Sequence, residues 1–199
     1  MKPHEELLEF RRKTLHLLIG VTIAALLWLR ILDAVILLSL AFFLLGFFLF
    51  LRELHYKIPF LFTLLRLFER EKHIRTFPGK SAINFLFACA LTAALFPRDI
   101  AVASIIILAF GDAISNIIGH HLGRTTTPLH PIKKIEGPIV AVCIASYVAG
   151  FFVPFHYALL AASVAMILEF PEWVFFGVHI DDNLIIPLSS GFILLLLMW

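Results

Sequence analysis

The stretch FGDAISNIIGHHLGR, Phe110 to Arg124, places polar and small residues inside an otherwise apolar helical segment. Five of them recur at three- and four-residue steps and so share one helix face: Asp112, Ser115, Asn116, Gly119 and Gly123. An aspartate inside a membrane span costs roughly 2.5–3.5 kcal/mol on an insertion scale. Asp112 is therefore expected to face the protein interior or a wet cavity and to have a function. For the glycines, close helix–helix packing is the alternative.

The composition around this stretch is that of an integral membrane protein. The chain has 199 residues, of which 61% are hydrophobic and 15% charged, and its mean hydropathy is +0.97. Soluble domains are nearer half apolar and a quarter charged. A single all-α domain over residues 1–199 is predicted, a polytopic bundle of about seven transmembrane helices. The candidate spans are Leu15–Leu32, Ala34–Leu51, Ala82–Phe96, Ile100–Ile118, Ile139–Phe155, Tyr157–Phe170 and Leu184–Trp199.

Basic residues predict the orientation of this bundle. Fourteen of the 16 lysines and arginines fall on one side of the predicted membrane, which leaves Arg30 and Arg98 on the other. By the positive-inside rule the basic side is cytoplasmic, and it contains the N-terminus. Every polar cluster in the sequence then faces the cytoplasm.

The connection between the second and third spans is predicted to contain an amphipathic helix in the headgroup region. From Pro59 onward, charged residues at helical spacing alternate with leucine and phenylalanine. The segment ends in FPGKSAINF, where Gly79-Lys80-Ser81 resembles the end of a phosphate-binding P-loop. That motif requires a glycine where Ile74 stands, so a P-loop is excluded. Lys80, directly before a helix, remains a candidate for anion binding.

A lysine-containing loop follows the polar helix face. In TTTPLHPIKKIEGP, prolines and Gly137 are expected to limit regular structure around Lys133, Lys134 and Glu136. A carboxylate close to a lysine pair suits a metal–triphosphate, since Mg²⁺ takes one or two carboxylates together with phosphate oxygens. The lysines would neutralise phosphate charge, and positioning and electrostatics are most of what phosphoryl transfer requires.

A third polar cluster precedes the last span. In HIDDNLIIPLSSG, His179 to Gly191, the residues Asp181, Asp182 and Asn183 stand in a row. A helix cap would account for one of them. Three together indicate further metal ligands or a general base.

These segments, with EFRRKTLHLLIG near the N-terminus, resemble in order the motifs of the CTP-dependent lipid alcohol kinases. That family includes dolichol kinase, phytol kinase and a yeast-type diacylglycerol kinase. The resemblance implies transfer of the γ-phosphate of CTP, with Mg²⁺, to the hydroxyl of a polyprenol- or dolichol-type membrane alcohol. Asp112 and Asp182 would hold Mg²⁺, and Asp182 or His16 would take the hydroxyl proton. Nucleotide contacts are expected at Lys80, Asn116, Lys133, Lys134, Glu136, Gly137 and Asn183.

Two other functions are open at this point. PIKKIEG also fits a lipid cytidylyltransferase of the CDP-diacylglycerol synthase kind, which would release pyrophosphate and form a CDP-lipid. A non-catalytic transporter or scaffold that binds anionic lipid would use the basic connector, but it would not need Asp112. No nucleic-acid partner is predicted, and the oligomeric state is not predicted.

Overall fold

A computed structural model of the protein describes residues 3–53, 67–68, 77, 79–127, 130–171, 173–175 and 177–199. The described residues form seven helices: α1 Pro3–Trp28, α2 Ala34–Glu53, α3 Lys80–Leu95, α4 Arg98–His121, α5 Glu136–Ala149, α6 Phe155–Leu168 and α7 Asp182–Met198. Two short antiparallel hairpins lie in connections: β1 Thr126–Thr127 with β2 His130–Lys134, and β3 Val174–Phe175 with β4 Val178–His179. The helical fold class is confirmed, and each predicted span overlaps one of these helices, although α1 begins twelve residues before its predicted span and ends four residues before the end of that span.

Helix α4 is the centre of the bundle. It packs against α1, α3, α5, α6 and α7. Every residue from Ile100 to Ala109 is buried, so this part of the helix has no exposed face. A helix that is apolar all round is buried in a protein core or in a membrane. Between Ile100 and Gly111 the sequence of α4 is apolar except for Ser104, which is also buried.

Polar residues from distant parts of the chain meet at one end of the bundle. Lys13 of α1 contacts Asp112 in the C-terminal half of α4. Asn84, in the second turn of α3, donates a hydrogen bond to Asp181, which precedes α7. We call this region the polar end. The first residues of α3, α5 and α7 and the last residues of α4 lie at the polar end, because successive helices run in opposite directions.

Helix α2 lies at the edge of the bundle. Among the described helices it packs mainly against α3, and Phe43 and Phe50 are more than half exposed. Within the described residues, two helices are long and apolar enough to cross a membrane, Ala34–Leu51 in α2 and Arg98–His121. Helices α5 and α6 have 14 residues each, about 21 Å at the usual rise per residue.

Three sequence expectations differ from the structure or lie outside it. Helix α4 ends at His121 with Leu122 as its C-cap, so Gly123 lies beyond the helix and the polar face stops at Gly119. The lysine-containing loop is not irregular, because Lys134 pairs with Thr126 in the β1–β2 hairpin. The predicted amphipathic helix falls almost entirely outside the described residues.

Candidate functional site

A buried ion pair joins α1 to α4 at the polar end. The Lys13 ammonium group donates to Oδ1 of Asp112, and both side chains are almost completely buried. The second carboxylate oxygen of Asp112, Oδ2, is buried and has no hydrogen-bond partner among the described residues. Desolvating a carboxylate is costly unless its lone pairs are satisfied, so this atom lacks a hydrogen bond that a buried carboxylate oxygen normally has.

His16 lies one turn after Lys13 and on the same side of α1. Its ring packs against Phe85 of α3 with ring centroids 4.9 Å apart. It is buried, and its Nδ1 atom has no hydrogen-bond partner within the described part of the chain. The charges that act on it include those of Asp112, Lys13 and Asp181. His16, one of the predicted catalytic residues, therefore lies one helical turn from Lys13, which contacts Asp112.

Asp181 and Asp182, at the start of α7, have different structural positions. Asp181 is the N-cap, and its Oδ1 accepts a hydrogen bond from the main-chain N–H of Asn183 at 3.0 Å. Its Oδ2 accepts from Asn84 Nδ2, also at 3.0 Å. Asp182 is the first residue of α7 and is half-buried, while the Asn183 side chain is buried. Of the two aspartates, Asp181 is among the charges that act on His16.

A cavity of about 250 Å³ opens beside the polar face of α4. Asn116, Lys134 and the buried carboxylate Glu169 line it, together with Ser115, Gly119, His120, Gly123 and Pro138. Ser115 Oγ and Asn116 Nδ2 donate to the main-chain carbonyl of Asp112 at 3.3 and 3.4 Å. The cavity therefore begins one helical turn from the Lys13–Asp112 pair. It combines a cation, an amide and a carboxylate, which suits a polar ligand better than an apolar one.

Glu136 and Gly137 lie at the start of α5 and contact the residues at and after the end of α4. Oε1 of Glu136 accepts from the main-chain N–H groups of Arg124 and Thr125 at 3.1 and 2.8 Å. The main-chain N–H groups of Glu136 itself, Arg124 and Thr125 lower the pKa of Glu136 to about 2. Gly137 lies against Gly119, where a Cβ atom would come within 2.9 Å of the main-chain nitrogen. Both residues hold the start of α5 against the end of α4, which is a structural role beside the predicted nucleotide contact.

Two of the predicted cationic contacts have different positions. Lys134 is half-buried and lines the cavity, whereas the side chain of Lys133 lies outside the described part of the structure. Lys80 is exposed at the start of α3 and lines a separate groove between α2 and α3. The structure thus brings Asn116 and Lys134 together around one cavity and places Gly137 against Gly119, which also lines it. Lys80 lies elsewhere at the polar end.

Several site residues had no assigned role at the level of sequence. Lys13 belonged to the N-terminal family motif, but nothing in the sequence identified its partner. Asn84 is a single amide in an apolar helix, and Asp181 was grouped with Asp182 as one acidic run. Glu169 follows the apolar helix α6 directly, and an acid at the end of an apolar run, close to the predicted cytoplasmic face, is the signal that could have singled it out.

The chain is similar to one known protein over almost its whole length and to another over less than half of it. Across 189 residues, 94% of this chain and 92% of the relative, the sequence is 33% identical to the uncharacterized protein MJ1137 of Methanocaldococcus jannaschii. Across 107 residues, 46% of this chain and 34% of the relative, it is 31% identical to a probable chloroplastic phytol kinase 2 of Oryza sativa subsp. japonica. No protein-family model and no solved structure matches the chain.

Proposed function

We propose that this chain, which belongs to the family of the uncharacterized archaeal protein MJ1137, is a membrane-embedded kinase for a lipid alcohol. The donor would be a nucleoside triphosphate, with CTP expected from the motif resemblance. The acceptor would be an isoprenoid alcohol of the polyprenol, dolichol or phytol type. The partial similarity to a probable phytol kinase supports a kinase, and it adds phytol to the acceptors to be tested first.

The observation that carries this proposal is the Asp112 carboxylate. It is buried, held by Lys13 through one oxygen, and has its other oxygen without a hydrogen-bond partner among the described residues. One helical turn away is the cavity that Asn116 and Lys134 line. A carboxylate fixed beside a cation-lined cavity is the arrangement needed to position a triphosphate and stabilise its developing charge.

The residues present fit a magnesium ion that arrives with the nucleotide. Asp112 Oδ2 can supply one carboxylate ligand, and Asp182 remains the second proposed ligand at the start of α7. The described residues contain no group of three or more acidic, histidine or cysteine side chains placed to hold a metal. Mg²⁺ commonly uses one or two carboxylates and completes its coordination with phosphate oxygens and water. When bound, the ion would neutralise phosphate charge.

The proposed reaction assigns separate tasks to this chain's own residues. Lys134 and Asn116 bind the triphosphate in the cavity, and Lys13 fixes the position of Asp112. The acceptor hydroxyl oxygen attacks the γ-phosphorus, the bond to the β–γ bridging oxygen breaks, and the nucleoside diphosphate leaves. His16 accepts the hydroxyl proton at Nδ1, and the carboxylates of Asp112 and Asp181 stabilise the resulting imidazolium. Asp182 is the alternative base.

A bilayer location is part of the proposal. In α2 the Ala34–Leu51 window has a mean hydropathy of 2.9, yet only 22% of it is buried inside the protein. A soluble protein would not leave so much apolar helix surface in water. Helices α5 and α6 are shorter than a hydrocarbon core of about 30 Å. For these two helices to span the membrane, the bilayer must become thinner around them. We expect the polar end to face the cytoplasm, as the distribution of basic residues in the sequence predicts.

Product analysis tests the proposed function. Purified protein in nanodiscs is incubated with Mg²⁺, γ-labelled CTP or ATP, and phytol, geranylgeraniol, a polyprenol or diacylglycerol. The proposal predicts a labelled lipid monophosphate and CDP from one of the isoprenoid alcohols. Pyrophosphate and a CDP-lipid would instead identify a cytidylyltransferase, and absence of any nucleotide-dependent product would contradict both enzymes.

A further inference from the structure

We propose that the groove between α2 and α3 binds the hydrocarbon chain of an isoprenoid alcohol and that Asn84 holds its hydroxyl group. This inference rests on the proposed function, because it names where the acceptor of that reaction binds. The groove has a volume of about 500 Å³, which is within the range of sites for small organic ligands. Phe42 and Leu45 of α2 face Ile83 and Phe87 of α3 across it.

The groove is polar at one end only. Lys80 and Asn84 are one turn apart at the start of α3, and Phe87 lies a further turn along the same face. From Lys80 to Phe87 the helix rises by about 10 Å. A ligand with one polar group and a long apolar chain matches this gradient when its hydroxyl lies at the start of α3 and its chain points toward the bundle's middle.

The polar end of the groove adjoins the buried cluster around Asp112. Asn84 Nδ2 donates to Asp181 Oδ2 at 3.0 Å, and Asp181 acts electrostatically on His16. Phe85, the next residue on α3, packs against the His16 ring. A hydroxyl held by the Asn84 amide would therefore lie next to the residues that we assign to proton transfer.

The position of the groove favours a ligand that enters from the bilayer. Phe42 and Phe87 are substantially exposed along its outer edge. Of the two candidate membrane spans among the described residues, the one in α2 is the more apolar and the less buried. A water-soluble substrate would gain nothing from apolar contacts with these two exposed rings. The neutral amide at the polar end suits an alcohol, whereas an anionic lipid would depend on Lys80.

Photolabelling tests this assignment without relying on catalysis. Protein in nanodiscs is labelled, in the absence of nucleotide, with a phytol analogue that carries a diazirine on its chain, and adducts are mapped by mass spectrometry. The proposal predicts adducts on Phe42, Leu45 and Phe87 that excess phytol suppresses. Equal suppression by the corresponding hydrocarbon without a hydroxyl, or suppression by phosphatidic acid that is lost in Lys80→Met, would overturn it.

Two neighbouring phenylalanines provide a matched pair of variants. Phe42→Ala removes a ring from the groove, whereas Phe43→Ala removes an exposed ring from α2 that is not part of its lining. The proposal predicts that Phe42→Ala raises the KM for phytol about five- to tenfold, the size expected for losing most of one aromatic contact. The KM for the nucleotide should not change, and Phe43→Ala should match the wild type in both constants.

The outcomes separate this inference from the proposed function. Phosphorylation of phytol together with labelling outside α2 and α3 would leave the kinase assignment intact and overturn the groove assignment. Competed labelling of the groove without phosphate transfer from any nucleotide would support the groove and contradict the kinase. Equal KM values for phytol in Phe42→Ala and Phe43→Ala would also contradict the groove.

Discussion

Lys13 and Asp112 are 99 positions apart in the chain, yet they form an ion pair that is buried between α1 and α4. Burying two charges costs more than their attraction returns unless other hydrogen bonds satisfy them, and removing one partner leaves the other uncompensated. A pair of this kind fixes the register of two helices. It also holds the Asp112 carboxylate one helical turn from the cavity that Asn116 lines.

Removing one member of the pair should destabilise the protein. Asp112→Asn leaves a buried lysine without its counter-charge, and we expect a loss of roughly 3–5 kcal/mol, seen as a lower thermal unfolding midpoint. The double variant Lys13→Met/Asp112→Leu should recover most of it, because an apolar pair of similar volume removes the desolvation cost. Asp99→Asn, at the exposed start of the same helix, is the control. A midpoint for Asp112→Asn equal to that of Asp99→Asn would contradict the burial argument.

Gly137 should tolerate no side chain. A Cβ atom there would lie 2.9 and 3.0 Å from the main chain of Gly119, so Gly137→Ala should push α5 away from α4 at a cost of about 1–3 kcal/mol. The matched control is Gly46→Ala in α2, where a Cβ atom would meet nothing within 4 Å. Helix propensity makes that change neutral or slightly stabilising. Both are measured by thermal unfolding without nucleotide, and equal effects would refute the packing role.

Glu136 should contribute to stability in a pH-dependent way. Its pKa is about 2 in the folded protein, compared with an ordinary value of 4.5, because the main-chain N–H groups of Glu136 itself, Arg124 and Thr125 stabilise the ionised form. A lowered pKa gives stability that is complete above pH 4.5 and is lost as the pH falls toward 2. The difference in unfolding midpoint between wild type and Glu136→Gln should therefore be constant near neutral pH and shrink over that acidic window. A difference that does not change with pH would rule this out.

Lys134 and Lys80 should affect different substrates. Lys134 lines the cavity beside Asn116, whereas Lys80 lines the groove between α2 and α3. A charged hydrogen bond contributes about 1.5–3 kcal/mol, so Lys134→Met should raise the KM for the nucleotide roughly ten- to 100-fold. Lys80→Met should leave that constant within about threefold, less than one neutral hydrogen bond is worth. The reverse ranking would mean that the nucleotide occupies the groove.

The helices could be predicted because a long run of apolar residues is visible in the sequence itself, without knowledge of how the helices pack. Helix α2 and its predicted span Ala34–Leu51 begin at the same residue, and α4 exceeds its predicted span by a few residues at each end. The polar face from Asp112 to Gly119 followed from helical periodicity alone. What periodicity cannot give is which polar residue faces which, since that depends on how the helices pack.

The sequence predicted that the polar residues lie at one end of the bundle, and Asp112, Asn116 and Lys134 do lie there. Their roles in metal and nucleotide binding stay predictions. Asp181 was not distinguished from Asp182, because adjacent residues point in directions that only the start of α7 defines. The hairpin that carries Lys134 was also missed, since the prolines at 128 and 131 indicated an irregular loop. The pairing of Asn84 with Asp181 spans 97 positions and gives no local signal.

The most direct test of the central claim is phosphate transfer by the variant that lacks the carboxylate but keeps the fold. Lys13→Met/Asp112→Leu and Asp99→Asn are compared with wild type in nanodiscs with labelled CTP, Mg²⁺ and phytol, at matched amounts of folded protein. The account predicts that the double variant forms no labelled lipid monophosphate while Asp99→Asn matches the wild type. Wild-type turnover in the double variant would contradict the assignment of Asp112.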